Sequence, residues 1–207
     1  MKILILRHGK TAMNLHGRYQ GRTDVPLCPE GEAELLSMGV CPDVQRVWVS
    51  PMRRAMRTAE LCFPNAAQIP VPDFREMDFG TFEGKNYQEM ADDPEYRAWV
   101  DGMCRGKCPG GESMGEFIDR VCAAFEALAA EAIAAGEQSL VITAHGGTIM
   151  ALLSRYGRPE KDYYDWHAAN GGGYVMCLDE AAWPVEKALT DIVPFSTLSE
   201  AVWEEKA

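Results

Sequence analysis

The sequence predicts an α/β fold, a three-layer α/β/α sandwich built around a mostly parallel sheet. Short continuous apolar runs, typical of strands covered on both faces, alternate with helical patterns along the chain. With 207 residues, of which 47% are hydrophobic and 25% charged, the chain can bury a sizeable core. The predicted strands are Lys2–Leu6, Arg46–Val49, Gln68–Val71, Ser139–Thr143, Tyr174–Leu178 and Val185–Leu189.

Helical periodicity between these strands predicts four helices. Ser50 is the expected N-cap of the second helix, with Pro51 at its first position. Ser113 and Glu116 have the spacing of a capping box at the start of the third, and Gly136 follows its end. The predicted helices are Pro29–Met38, Pro51–Cys62, Ser113–Ala135 and Gly146–Ser154.

No linker or repeat divides the chain, so residues 1–207 are predicted to form a single domain. A small helical and loop insertion at about residues 85–112 is expected to cover the functional site. It contains the Gly-rich stretch Asp101–Gly111, which is either a plain connection or part of a pocket wall. Cys104 and Cys108 within it are interpreted as two separate thiols, with a metal site or a disulfide as the alternative.

The net charge of −11 argues against nucleic acid and anionic membranes as partners. No signal peptide is visible, and no apolar segment approaches the roughly 20 residues that span a bilayer. Seven cysteines, an odd number, are scattered along the chain and indicate reduced thiols and a cytoplasmic location. Any anionic substrate must therefore be held by arginines that cluster locally within an acidic protein.

Gly9-Lys10-Thr11 resembles the end of a nucleotide-binding P-loop, but the rest of that loop is missing. The motif requires a glycine five residues before the second glycine, and that position is Leu4, inside the first strand. We therefore reject nucleotide binding by this loop.

Three predicted strands end in polar residues that suit an anion. The first runs into Arg7 and His8, the second is followed by Arg53 and Arg54, and the fourth runs into His145. Ligands of open α/β sheets bind beyond the carboxyl ends of strands, so these side chains are expected to meet there. Glycine follows each histidine, and helix N-termini near Ser50 and Gly146 would favour an anion at the same edge.

This arrangement predicts phosphate as the ligand. Guanidinium groups pair with phosphate oxygens bidentately, and a neutral imidazole is a nucleophile at pH 7. The alternative is that each histidine only satisfies a local hydrogen bond. The repetition of histidine followed by glycine, with arginines nearby, favours a phosphate site over that alternative.

Several motifs resemble the histidine phosphatase superfamily, in its phosphoglycerate-mutase-like branch. They span about residues 2–150 in the family's order. One departure is Cys28, where the family usually has Thr or Ser, and we expect a slightly frayed helix there. The motifs are "RHGKTAMN" (Arg7–Asn14), "SPMRRAMRTAE" (Ser50–Glu60), "FREMDFGTFEG" (Phe74–Gly84), "GGES" (Gly110–Ser113) and "VITAHGGT" (Val141–Thr148).

The resemblance implies a phosphoglycerate-mutase-like fold and a set of roles. His8 would be the nucleophile that forms a phosphohistidine, and Glu76 the general acid and base. No metal and no cofactor would be needed. The implied catalytic residues are His8, Glu76, His145, Arg7 and Arg54. The implied phosphate and substrate contacts are Arg7, Asn14, Gln20, Gly21, Arg54, His145 and Gly146.

The resulting prediction is a metal-independent phosphomonoester hydrolase acting on a small phosphorylated metabolite, with α-ribazole phosphatase as one candidate. The alternatives are a cofactor-dependent phosphoglycerate mutase and a non-catalytic phosphate-binding relative. Glu83 and Ser113 are further candidates for the pocket. The Tyr163-Tyr164-Trp166 cluster is interpreted as core, and His16 and His167 as surface residues. The sequence makes no prediction of oligomeric state.

Overall fold

A six-stranded sheet runs through the centre of the chain, in a computed structural model that describes residues 1–201. The strand order is β3-β2-β4-β1-β5-β6. The first four strands of that order are mutually parallel, and β5 is antiparallel to both of its neighbours. The strands are β1 (Lys2–Arg7), β2 (Arg46–Val49), β3 (Ala67–Pro70), β4 (Ser139–Ala144), β5 (Gly173–Leu178) and β6 (Leu189–Phe195).

Helices cover both faces of the sheet, which confirms the three-layer prediction. In β1, Ile3 and Ile5 pack into the core beneath α5 and α6, while Leu4 and Leu6 pack into the core beneath α2 and α3. This alternation with two apolar faces explains why β1 is a continuous apolar run. The helices are α1 (Ala12–Leu15), α2 (Pro29–Ser37), α3 (Arg53–Cys62), α4 (Pro94–Asp101), α5 (Met114–Ala135) and α6 (Gly146–Tyr156).

The ends of the helices follow the predicted capping except at one position. The Ser113–Glu116 capping box starts α5, and Gly136 ends it in the left-handed conformation at φ 69°. Cys28 caps α2 by accepting a hydrogen bond from the N–H of Gly31 at 3.4 Å, and the slight fraying expected there stays a prediction. The N-cap predicted at Ser50 is wrong, since α3 begins at Arg53 with Met52 as its N-cap residue. The Ser50 hydroxyl accepts from the N–H of Met52 at 3.5 Å and lies 2.7 Å from Nε2 of His145.

The strand predicted at Val185–Leu189 is also wrong, since the sixth strand is β6. Within residues 1–201, β6 is an edge strand with β5 as its neighbour in the sheet and one isolated bridge from Leu189 to Gly157. Much of β6 is exposed, Val193 to 61%. It therefore lacks the continuous apolar run that marks the central strands, and it contains Pro194, which an edge tolerates.

The segment between β3 and α5 lies outside the sheet and is anchored by an aromatic cluster. Trp99 of α4 packs against Tyr19, Phe79, Phe82 and Tyr96 at ring-centroid distances of 5.5–6.3 Å. All seven cysteines are free thiols, including Cys104 and Cys108 in the loop after α4. No helix within residues 1–201 is both long enough and apolar enough to span a bilayer.

Candidate active site

His8 lies at the carboxyl end of β1 and is held by backbone groups. Its N–H donates to the carbonyl of Ala144 at 2.9 Å, which ties it to the end of β4. Its ring Nδ1 lies 2.7 Å from the carbonyl oxygen of Gly9. Because a carbonyl oxygen can only accept, Nδ1 carries the hydrogen and Nε2 keeps a free lone pair.

The surroundings of His8 keep its ring neutral. Burial lowers the pKa of His8 well below its ordinary value of 6.5, and the positive charges of Arg54 and Arg7 lower it further. The side chain is only 4% exposed. A neutral imidazole with a free Nε2 is the form that acts as a nucleophile.

His145 follows β4 and stands beside His8, with ring centroids 5.1 Å apart. Its Nε2 lies 2.7 Å from the hydroxyl of Ser50, at the end of β2. Burial lowers the pKa of His145 well below 6.5, with further lowering by Arg54 and by His8. This contact of Ser50 with a predicted site residue was not expected from the sequence, because a Ser-Pro pair before a helix has the pattern of a cap.

Arg54 and not Arg53 belongs to the site. Arg54 is fully buried at the start of α3, whereas Arg53 is exposed. Its two terminal nitrogens donate to the carbonyls of Thr23 at 2.9 Å and Gly21 at 2.8 Å. Burial lowers the pKa of the Arg54 guanidinium below its ordinary value, and the negative charge of Glu76 opposes that shift.

Arg7 is the last residue of β1 and reaches the segment before β5. One terminal nitrogen donates to the carbonyl of Ala168 at 2.5 Å and lies 3.3 Å from Nε2 of His167. A Cβ at Gly146 would come within 3.2 Å of this guanidinium, so a larger residue would press on Arg7. His167, interpreted from the sequence as a surface residue, therefore contacts a residue of the site.

The loop at residues 20–23 is organised by Glu83. This carboxylate accepts hydrogen bonds from the backbone of Gly21 and from the hydroxyl of Thr23 at 2.6 Å. A Cβ at Gly21 would lie 1.7 Å from the carbonyl oxygen of Met77, so only glycine fits. The N–H of Gly21 already donates to Glu83, so the observed role of Gly21 is to shape this loop. Its contact with phosphate stays a prediction.

Asn14 and Gln20 are oriented by Thr11. Oδ1 of Asn14 accepts from the N–H of Thr11 at 3.0 Å, and Oε1 of Gln20 accepts from the Thr11 hydroxyl at 2.7 Å. Both amide groups thereby turn their NH₂ ends away from Thr11. Asn170, which no sequence signal marked, donates to the carbonyl of His8 at 3.1 Å.

Four buried nitrogen atoms of the predicted site residues have no hydrogen-bond partner within the described chain. Buried polar atoms are rarely left unpaired, because each costs about 1–3 kcal/mol. All four can present hydrogen to the oxygens of an anion. They are Arg7 Nε, Arg54 Nε, Gln20 Nε2 and His145 Nδ1.

Glu76 is held at the N-terminus of α6. Its oxygens accept hydrogen bonds from Met77 at 3.0 Å and from the N–H of Gly147 at 2.9 Å. Burial raises the pKa of Glu76 above 4.5, against the opposite effect of these two hydrogen bonds. A Cβ at Gly147 would lie 2.1 Å from Oε1, so this carboxylate needs a glycine beside it.

Arg120 of α5 holds the backbone that carries Glu76. Its guanidinium donates to the carbonyls of Asp73 at 2.8 Å, Arg75 at 3.2 Å and Glu76 at 3.5 Å. It also forms a bidentate pair with Glu112, both bonds being 2.8 Å long. Glu112 lies within the "GGES" motif, whose Ser113 is an α5 cap and not a lining residue of the pocket.

Beside Arg7 and Glu76 lies a pocket of about 280 Å³ with mostly apolar walls. The insertion contributes Trp99 and Cys104, and the turn at Tyr163–Trp166 contributes Tyr163 and Tyr164. The interpretation of this turn as core holds for Trp166, which is 2% exposed, and in part for Tyr163, which packs against the core and also lines the pocket. Within residues 1–201, no group of three or more His, Cys, Asp or Glu side chains is placed to hold a metal ion.

Comparisons with known proteins identify the family. The model of the histidine phosphatase superfamily (branch 1) matches residues 3–190, and the chain belongs to this superfamily. A probable phosphoglycerate mutase of Salmonella typhi is 31% identical over 161 residues, 74% of this chain and 74% of the relative. A putative phosphoserine phosphatase 2 of Hydrogenobacter thermophilus is 33% identical over 159 residues, 73% and 76% of the two chains. These names confirm the predicted family and its enzymatic character.

Solved structures confirm the predicted fold. A phosphoglycerate mutase from Thermus thermophilus has a TM-score of 0.69 at 28% identity, covering 95% of this chain and 100% of that one. The α-ribazole phosphatase from Shigella flexneri has a TM-score of 0.77 at 24% identity, covering 92% and 94%. The second likeness is one of fold alone. The relatives bear the names of both phosphatases and mutases, so membership leaves the reaction to be argued from the site.

Proposed function

We propose that this protein is a metal-independent phosphomonoester hydrolase that works through a phosphohistidine on His8. The observation that carries the proposal is the state of the His8 ring. Its Nδ1 hydrogen is held by Gly9 and its Nε2 is free, and buried, unpaired nitrogens of Arg7, Arg54 and His145 belong to the same site. A nucleophile among anion-binding donors is what phosphoryl transfer requires.

In the first step, Nε2 of His8 attacks phosphorus and the bond from phosphorus to the leaving oxygen breaks. Arg7 and Arg54 pair with the non-bridging oxygens, and the Ser50 hydroxyl donates to His145 Nε2, so that His145 Nδ1–H donates to the third. The leaving alkoxide takes a proton from Glu76, whose raised pKa favours the protonated form that this step needs.

In the second step, the Glu76 carboxylate takes a proton from water and the water oxygen attacks phosphorus. The bond between phosphorus and Nε2 of His8 breaks, orthophosphate leaves, and both residues return to their starting states. Glu76 therefore serves as acid and then as base, which requires a carboxyl whose two forms are both populated near the working pH.

Hydrolysis is favoured over mutase chemistry by the charge of the pocket. A phosphoglycerate mutase must hold a bisphosphorylated intermediate with its carboxylate while it turns over. Among the described residues that line the pocket, Arg7 is the one permanent cation. The mutase remains the second candidate because relatives bear that name. A non-catalytic binder would need neither the free Nε2 of His8 nor Glu76.

The proposed substrate is a small phosphorylated metabolite, and α-ribazole 5′-phosphate is one candidate, suggested by the resemblance of the Phe74–Gly84 segment. A cytoplasmic location belongs to the same proposal. It is supported by the free state of all seven cysteines.

The test supplies 3-phosphoglycerate with a trace of 2,3-bisphosphoglycerate and follows 2-phosphoglycerate and free phosphate together. A parallel reaction uses p-nitrophenyl phosphate after exhaustive chelation. We expect phosphate release from the nitrophenyl ester without added metal, and little isomerisation. Isomerisation much faster than phosphate release would establish the mutase, and dependence on added Mg²⁺ would contradict the mechanism.

A further inference from the structure

We infer that the leaving group of the substrate is an uncharged alcohol with a flat apolar part, which occupies the pocket beside Arg7 and Glu76. The inference rests on the proposed hydrolysis and names the substrate class of that site. It excludes substrates whose alcohol carries a carboxylate or a second phosphate.

The composition of the pocket wall supports this class. Five lining residues are aromatic, and Met77, Met114 and Met150 are flexible apolar side chains. A polar alcohol would find few free partners among the lining hydroxyls, since those of Tyr19, Tyr163 and Tyr164 already contact the Tyr96 hydroxyl and the carbonyls of Gly147 and Met103. A flat ring would bury apolar surface against other rings, which attract one another beyond their area. The aromatic lining residues are Tyr19, Phe79, Trp99, Tyr163 and Tyr164.

The charged side chains that line the pocket already have roles in the proposed reaction. Arg7 is assigned to the phosphate and Glu76 to the proton. His167, which contacts Arg7, has its pKa lowered by burial and by Arg7, and this shift favours its uncharged form. Within the described part of the chain, no cation remains among the lining residues to pair with a second anionic group of a substrate.

The wall is held in place by its own hydrogen bonds. Trp99 donates from Nε1 to the carbonyl of Gly106 at 3.1 Å, and the hydroxyls of Tyr19 and Tyr96 lie 3.0 Å apart. Tyr164 donates to the carbonyl of Met103 at 3.3 Å, which joins the loop after α4 to the turn after α6. A pocket formed in advance binds a rigid ring without the entropic loss of ordering its walls.

The test compares phosphate esters that share a primary alkoxide leaving group and differ only in the remote part. Ethyl, 2-phenylethyl and 2-(indol-3-yl)ethyl phosphates are measured beside glycerol 3-phosphate and 3-phosphoglycerate. We expect kcat/KM for the two aryl-bearing esters to exceed that for ethyl phosphate on the order of 30-fold, from burial of one ring. The value for 3-phosphoglycerate should fall below that for ethyl phosphate.

A kcat/KM for glycerol 3-phosphate or 3-phosphoglycerate equal to or above that for 2-phenylethyl phosphate would overturn the inference. In that case hydrolysis of the series would still stand. If no ester in the series released phosphate, the proposed function itself would fail, so the two failures are distinguishable.

Two variants test whether the residues that line the pocket cause this substrate preference. Tyr164→Ala should lower the ratio of kcat/KM for 2-phenylethyl over ethyl phosphate about fivefold, because part of the ring's burial is lost. Tyr87→Ala is the matched control, since Tyr87 is 63% exposed and does not line the pocket. Met150→Lys should raise the relative kcat/KM for 3-phosphoglycerate by supplying a cation. An unchanged ratio in Tyr164→Ala would contradict the placement of the leaving group.

Discussion

The two halves of the candidate site are built in opposite ways. The half proposed to bind phosphate contains Arg7 at the end of β1, His8 and His145 directly after β1 and β4, and Arg54 in the first turn of α3. Backbone carbonyls hold three of these side chains, those of Arg7, His8 and Arg54. The leaving-group half uses aromatic side chains from loops, the insertion and a turn after α6. The first half is polar and deeply buried, and the second half is apolar and lines the pocket.

This difference links the first half with the chemical steps and the second half with the choice of substrate. The ends of parallel strands cannot move without disrupting the sheet, so they suit groups that must meet phosphorus with fixed geometry. Loops and an insertion can vary without loss of the fold, and they suit the part of a site that chooses the alcohol. Substitutions in the two halves should therefore differ in what they change.

The largest effect is expected at the nucleophile. His8→Ala should lower kcat roughly 10⁴-fold or more, because the covalent route is lost. Rapid quench with labelled substrate should trap label on His8 in the unsubstituted protein and none in the variant. His16→Ala, at an exposed histidine, is the control and should keep full activity. Label on a serine, aspartate or cysteine would refute the assignment of the phosphate half.

Glu76 lies between the two halves. The loss of kcat/KM on replacing it should depend on the leaving group. Glu76→Gln should lower kcat/KM for alkyl phosphates about 10²–10³-fold, because their alkoxides need a proton. The loss on p-nitrophenyl phosphate should be much smaller, since that leaving group needs little protonation. Glu131→Gln on the exposed face of α5 serves as control. Equal losses on both substrates would show that Glu76 is not the acid.

A smaller effect is expected from Arg120, which holds the backbone that carries Glu76 and does not line the pocket. Arg120→Met should lower kcat about tenfold and shift the Glu76 limb of its pH profile, because the carbonyls at residues 73, 75 and 76 lose their donor. KM should change little. Arg155→Met, which removes a surface pair with Asp119, is the matched control. Loss of stability without a shift in the pH profile would assign Arg120 a purely structural part.

The smallest expected effect is on the pH dependence of the free energy of unfolding. Since burial lowers the pKa of His8 and His145 below 6.5, the unfolded chain binds more protons below that pH, and the free energy of unfolding falls as pH decreases. His145→Asn should reduce this slope by up to about 1.4 kcal/mol per pH unit. The raised pKa of Glu76 acts with the opposite sign, and comparing the two proteins cancels it. Urea unfolding between pH 5 and 7 measures the slopes, and identical slopes would contradict a buried neutral His145.

Local sequence patterns were sufficient to predict the parallel sheet and the meeting of Arg7, His8 and His145 at one of its edges. Continuous apolar runs can be satisfied only by strands covered on both faces, and the carboxyl ends of parallel strands must share one edge. Arg7, His8 and His145 could therefore be placed together from short stretches of sequence. The capping box of α5 was equally local, since all its bonds lie within Ser113–Glu116.

The remaining features depend on contacts between residues distant in sequence, which only the folded chain reveals. The choice of Arg54 over Arg53 follows from which side of α3 meets the loop at residues 20–23. The closest partner of the Ser50 hydroxyl is a histidine 95 residues away, which the local pattern of a helix cap does not indicate. Tyr163 and Tyr164 could not be told from core, because an aromatic side chain in a pocket and one in a core have the same local pattern. Only packing of the insertion against the turn after α6 separates them.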